Sequence, residues 1–425
     1  YTLHPFDMNR HTHILCHMIL LIKLISCQIT IDDINDLRVE LREEFDNSGR
    51  FKDLLPTTVR LIFHDCAGPQ ELNGNAISRC NGCIDYNNSD HSGLVTGAVN
   101  ILDDIYISSN WNQKMSRSDF WASAGTIAIE YAHELDINSN DTLTSIPFYF
   151  GRIDCGDTSQ ATQTKSFPHA ASAWTETFSW FQQNLDLNIR ETVAIIGAHT
   201  LGRAHSQFSG YSSLPWVAFS DGPEMLNNQF YKNIFSNNWI QSQSSSNKWE
   251  FKDEETSSIL MVNADMSLAY DFDGFLNETT GEISCLIQDE CPENQETINI
   301  AQEYADSNQI WLNDFRNVFI KLITTGYNID DDLITIDTSI SIIPSTTSIE
   351  TSIDDIETSS VQNTEEVSSL DSDILNEYSG VFSLIAAVGV VMILIIILMY
   401  CICQSCCKKN TRPRKYNAVQ TTTEV

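Results

Sequence analysis

The sequence predicts an all-α domain followed by a polar stalk and one membrane-spanning helix. Three observations carry this expectation. From about residue 29 to residue 328, apolar residues recur at helical spacing and strand-like alternation is sparse. From Asn328 to Glu377 the chain turns to Ser, Thr, Asp, Glu and Ile with no Lys or Arg, a composition that cannot readily assemble a packed core. Gly380 to Cys403 is then almost continuously apolar, long enough for the ~30 Å of hydrocarbon in a bilayer.

The domain begins with a clear helical pattern over Asp36–Phe45, where Leu37, Leu41 and Phe45 share one face. Hydrophobic content of 42% suits a sizeable core in a chain of 425 residues. A net charge of −33 argues against nucleic acid as a partner, because phosphates require a basic face. Of the 12 cysteines, Cys66, Cys80, Cys83, Cys155, Cys285 and Cys291 occupy the middle of the chain. Their even number suggests disulfides and an oxidising compartment, with Cys66 able to close a short loop to Cys80 or Cys83, and Cys285 to Cys291.

The ends of the chain suggest a topology. From Met8, Asn9 and Arg10 lead into an apolar run, Ile14–Ser26, that suits a signal peptide over residues 8–27. The domain then spans residues 28–328, the stalk 329–377, the transmembrane helix 380–403 and a cytoplasmic tail 404–425. Lys408, Lys409, Arg412, Arg414 and Lys415 follow the apolar run, so a single-pass type I orientation is expected, with the domain lumenal or extracellular. Cell surface, endosome and vacuole all suit it. Sequons at Asn87, Asn140 and Asn277 fall on that same side.

Three stretches carry chemistry. In Pro56–Cys66, Pro56 suits a first helical turn, Val59, Ile62, Phe63 and Cys66 form a packing stripe, and Arg60 and His64, four apart, project together beside it. A cation and a base beside an apolar stripe are costly unless they have a partner or a purpose. In Glu191–His205 an apolar helix runs into His199, with Gly197 and Gly202 allowing close approach to the backbone. Alone, that residue reads as an ordinary core histidine. Asn263–Leu268 changes the reading, because Asp265 at a helix start is placed to accept the Nδ1 proton of a ligating histidine and fix its tautomer.

Together these stretches resemble the plant, fungal and bacterial haem peroxidase superfamily over about residues 30–328. Val59–Cys66 is similar to its distal signature, Glu191–His205 to its proximal one and Ser118–Gly125 to its central helix, with Phe148–Asp154 and Phe167–Ala170 like the connectors. The resemblance implies a two-lobed fold with haem b between the lobes, His199 as iron ligand, and Asp265 behind it. It also implies His64 as general acid–base towards hydrogen peroxide, Arg60 as the stabilising cation, and an electron donor oxidised by single-electron steps.

The resemblance is a hybrid. Ser209–Tyr211, Pro215 and Trp216 are like the intracellular class, which implies Trp216 as a proximal tryptophan and His205 near a haem propionate, although one extra residue precedes Trp216. Phe63 before the distal histidine, the cysteines and the leader are like the secreted classes. Those classes also imply calcium, for which Asp65, Gly82, Asp85 and Thr200 are the counterparts, while Asn227 stands where an Asp is expected. His91 stands where the family places the Asn that supports the distal histidine, with Asn88 as the other candidate.

Overall fold

The computed structural model describes residues 29–47, 53–68, 70–72, 75–76, 80–155, 161–163, 167–256, 258–287 and 289–338. All belong to one compact unit, Tyr1–Ser345. The expected leader, transmembrane helix, tail and most of the stalk lie outside the described residues. Among the described residues no helix is long and apolar enough to cross a membrane.

Nine helices of eight or more residues build the described unit: α1 (Ile31–Asn47), α2 (Leu54–Ala67), α3 (Asn100–Ser108), α4 (Arg117–Glu134), α5 (Trp174–Leu185), α6 (Ile189–Ile196), α7 (Gln229–Ser236), α8 (Ile298–Asp306) and α9 (Asn308–Ile323). In α1 the buried residues are Ile34, Leu37, Leu41 and Phe45, the stripe expected from spacing. One group forms where α4 packs on α1, α2 and α3, and a second where α6, α7, α8 and α9 pack on one another. Helix α9 also crosses to α2, and a single apolar core runs through both groups. Gly125 lets α2 and α4 approach closely, since a Cβ there would lie 2.4 Å from Ile62 Cγ1.

Strands are more numerous than the sequence suggests, though short. They form β2–β1–β4 (Asn75–Ala76, Gln70–Leu72, Ala161–Gln163), β3–β10 (Phe148–Phe150, Ile334–Ile336), β5–β6 (Arg203–His205, Trp216–Ala218) and β7–β8–β9 (Trp239–Gln243, Trp249–Asp253, Leu260–Met261). Pieces of two to five residues are too brief for period-two alternation to register.

The β3–β10 pair corrects the expected domain boundary. Ile334, Thr335 and Ile336 pair antiparallel with Phe150, Tyr149 and Phe148. Leu333 and Thr338 are buried, and Arg38 donates to Thr338 Oγ1 at 2.8 Å. The fold therefore continues through Thr338, into the stretch whose acidic Asp330–Asp332 run reads as stalk.

The link from α4 to the residues that follow β3 is ionic. Asp119, whose amide is capped by the Ser116 hydroxyl at 3.0 Å, accepts from Arg152 Nη1 at 2.9 Å and from the backbone of Gly151 and Arg152. Arg152, with a fully buried side chain, also donates to the Ile323 carbonyl at 2.7 Å. Removing one member strands the other charge in a dry interior. Asp119→Ala should therefore cost about 3–5 kcal/mol by urea denaturation, and a loss below about 1 kcal/mol would contradict this role.

Candidate active site

His199 sits on a 3-10 turn, Gly197–Thr200, that extends α6. Asn188 and Glu191 form a reciprocal cap at the start of α6, each side chain bonding the other's backbone N–H at 2.9 Å. Behind the turn, Gly197 admits two large rings. A Cβ there would lie 2.4 Å from the Tyr231 hydroxyl and 2.7 Å from Trp311 Nε1, both of which donate to α6 carbonyls.

Asp265 lies on a single helical turn, Asn263–Met266, directly after β9. It is fully buried, accepts the Val262 N–H at 2.9 Å, and stands 2.7 Å from His199 Nδ1. A carboxylate accepts, so Nδ1 carries the proton and Nε2 is left as a lone pair. Burial opposes charging this imidazole, but the Asp265 carboxylate outweighs it and raises the pKa of His199. The side chain is 46% accessible even though burial penalises its charge, so it opens onto a recess rather than onto bulk solvent.

Arg60 and His64 stand one turn apart on α2. The Arg60 cation disfavours protonation of both His64 and His199, which places it within electrostatic reach of each. Its guanidinium donates to the Ser92 carbonyl at 3.0 Å and the Asp90 carbonyl at 2.8 Å. Surrounding protein lowers its pKa to about 10 although it reaches solvent, so it remains a cation at neutral pH. His64 is 7% exposed. Burial above all, then Arg60 and His91, push its pKa well below 6.5.

The donor set fits an iron cofactor on its chemistry: a histidine with a bare Nε2 and a fixed tautomer, and a cation that acts on it and on an uncharged buried base. Aromatic rings pack against both histidines. Phe219 stacks on His199 with centroids 5.0 Å apart, and Phe230 meets it edge-on at 6.2 Å. Phe167 lies 4.1 Å from the His64 ring, and Phe63 packs against Phe167, Trp180 and Phe181 as well as His64.

The structure places the remaining candidate residues as follows. Trp216 does not stand against His199. It lies on β6, 37% exposed, under the Arg203 guanidinium at 5.3 Å, and Phe219 takes the position beside the imidazole. The segment is extended, so Trp216 and the buried Val217 point to opposite faces. Phe219 was invisible to motif reading because only the pairing of β5 with β6 sets which side faces inward.

The residues expected to bind calcium have protein partners. Asp65 accepts three backbone N–H groups, from Asn81, Gly82 and Cys83, at 3.1–3.2 Å. Those donors present positive charge where a cation would need oxygen. Asp85 Oδ1 accepts the Asn87 N–H, and Thr200 faces Asn227, which itself donates to Asp136. Among the described residues no group of three His, Cys, Asp or Glu side chains is gathered to hold a metal. The loop is held covalently instead, by Cys66–Cys80 and Cys83–Cys155, with Cys285–Cys291 closing a separate loop. His205 pairs with Asp53 at 3.3 Å, and Arg203 with Asp53 and Glu224. Asn88 caps the turn before His91, accepting from the Asp90 N–H at 2.9 Å.

A family profile described as Peroxidase matches residues 37–306, and the chain belongs to that family of haem peroxidases. It is similar to the mitochondrial cytochrome c peroxidases of Neurospora crassa (28% identical, covering 68% of this chain and 68% of that one) and Yarrowia lipolytica (30%, covering 51% and 58%). A Debaryomyces hansenii protein whose name carries the words heme-binding peroxidase is 26% identical, over 73% of this chain and 64% of that protein. The chain thus spans about two thirds or less of the length of these relatives.

The buried, uncharged His64 has a consequence for stability. Below about pH 6.5 an unfolded histidine binds a proton that native His64 refuses, so stability should fall as pH drops through that value. In His64→Leu the decline should be shallower by urea midpoints, and an unchanged slope would refute the assignment. Chelation by EDTA should leave the melting temperature unaltered, whereas a drop reversed by calcium would restore a cation site.

Proposed function

We propose that this chain is a haem-dependent peroxidase that reduces hydrogen peroxide and draws electrons singly from a reducing donor. The observation that carries this reading is the 2.7 Å pair of His199 Nδ1 and buried Asp265, with the Arg60 cation within electrostatic reach of both His199 and His64. Haem b, held by His199 Nε2, would supply the redox-active iron on which peroxide is reduced.

The chain's own residues supply the proton handling. His64, uncharged at neutral pH, takes a proton from the near oxygen of hydrogen peroxide and passes it to the far oxygen, which leaves as water. Arg60, steadied by the carbonyls of Asp90 and Ser92, keeps other N–H donors for the charge that develops on the departing oxygen, an effect worth roughly 3 kcal/mol in comparable sites. Asp265 keeps the His199 proton on Nδ1 and so keeps Nε2 available to metal. Phe219, with no ionisable group, packs beside His199, and oxidation by way of Trp216 is not part of this reading.

The tether belongs to the same reading and rests on the sequence: the apolar stretch 380–403, the basic cluster after it, and three sequons before it. Asn87, Asn140 and Asn277 are exposed, as glycan attachment in a secretory compartment or at the cell surface requires.

The full chain, reconstituted with haem, should show a Soret band that shifts when peroxide is added. His64→Leu should keep the band while its response slows by about a hundredfold to ten-thousandfold. Absence of the band would end the haem assignment, and an unaltered rate in the variant would remove His64 from the chemistry.

A further inference from the structure

Glu250 takes no part in handling peroxide or its protons. It lies on β8 with its side chain wholly buried, a costly place for a carboxylate. Its Oε2 accepts the backbone N–H of Ser212 at 2.5 Å. The Lys252 ammonium stands 2.9 Å from Oε1, out of line for a hydrogen bond. A buried ion pair is weak evidence for stability, so the charge calls for another explanation.

Ser212 supplies one. It is fully buried and its backbone is left-handed, with φ at +70°, a conformation that strains a residue carrying a Cβ. Gly210, at φ +72°, adopts the same region without that strain. Tyr211 lies between these two turns. The β7–β8 hairpin holds the loop on both sides of it: Ser244 Oγ donates to the Gly210 carbonyl and Lys248 Nζ to the Ser209 carbonyl, each at 2.8 Å, and Glu250 takes the Ser212 N–H. Lys248 also stands over the Tyr211 ring, 4.9 Å from its centroid.

Tyr211 joins a small apolar cluster with Ala204, Val217, Leu260 and Val262, against which Ala264 packs. Val262 gives its N–H to Asp265, and Ala264 precedes Asp265 on the same turn. Burial above all, then the Asp265 and Glu250 carboxylates, push the Tyr211 hydroxyl up to about 12. The phenol therefore stays protonated within electrostatic reach of both carboxylates.

We propose that Glu250 is a positioning residue for the His199–Asp265 pair: by holding Ser212 left-handed it keeps Tyr211 packed over the turn that carries Asp265, and so keeps water from the His199 Nδ1–Asp265 hydrogen bond. The support runs from β8 through Ser212 and Tyr211 to Asp265. It asks Glu250 only to accept a hydrogen bond, which a carboxylate does strongly. The value of a dry pair rests on the peroxidase reading, in which His199 Nε2 must stay bare for iron.

The test uses the full chain without haem, labelled at histidine, and follows by NMR the exchange of the His199 Nδ1 proton with water. The resonance is assigned by its absence from His199→Gln. Glu250→Ala should speed the exchange roughly tenfold or more, because Ser212 can then leave its strained conformation. Glu250→Gln keeps an oxygen for the Ser212 N–H, so its exchange should stay within about twofold of the parent's. Glycine needs no hold in the left-handed region, so adding Ser212→Gly to Glu250→Ala should bring the rate back towards the parent's. Tyr211→Ala, which leaves Glu250 and Lys252 in place, should exchange as fast as Glu250→Ala.

A merely structural ion pair predicts otherwise: Glu250→Gln would behave like Glu250→Ala, and Ser212→Gly would rescue nothing. Either of those results, or parental exchange in Glu250→Ala or Tyr211→Ala, would overturn the inference. The haem assignment fails separately, if the parent reconstituted with haem lacks a Soret band.

Discussion

The hydrogen bond between His199 Nδ1 and Asp265 is the constraint on which the rest of the site depends. Asp265 is wholly buried, and a carboxylate in dry protein is tolerable only if its oxygens are satisfied. One oxygen takes the Val262 N–H and the other takes the imidazole proton. The turn carrying Asp265 is seated by Asn263, which donates to the Ala171 and Gly281 carbonyls. The imidazole is seated by a 3-10 turn closed from behind by Tyr231 and Trp311. Each element has little freedom, so the bare Nε2 has one direction in which to point.

The opposite wall follows a different principle. Arg60 and His64 project from a helix whose far end is tied down by Asp65, which gathers three backbone N–H groups from the loop at Asn81–Cys83. Two disulfides hold the same loop. Farther along the chain come the Asp85 carbonyl, His91, and the carbonyls that receive Arg60. Arg60 and His64 are therefore positioned by local covalent and backbone bonding. Phe208 adds a packing contact, its ring close against Gly93 at the end of this loop.

Much of this was legible from residue spacing. The four-residue interval of Arg60 and His64 needs only a helix to place both on one side, and α2 supplies it. The stripe of α1 is equally local. The pairing of His199 with Asp265 spans 66 positions and could be anticipated only because an aspartate behind a histidine is a recurrent chemical arrangement. What escaped the sequence was long-range and small in scale. The strand β10 is three residues beside an acidic run, and nothing in its composition announces that β3 will receive it.

Trp216 and Phe219 mark the same boundary most plainly. The chain alone established which residue types were present and their helical periods, and so that Arg60 and His64 share a side of one helix. It could not choose the aromatic ring that meets His199, because in an extended segment neighbouring side chains point to opposite faces. That choice came from the pairing of β5 with β6, which turned Trp216 to solvent under Arg203 and left Phe219 against the imidazole. Likewise Asp65 has the chemistry of a metal ligand, but the loop folded back on it filled its oxygens with N–H donors. Periodicity and residue chemistry act over a few positions, whereas the face a side chain presents and the partner it meets depend on contacts that close only when distant segments pack.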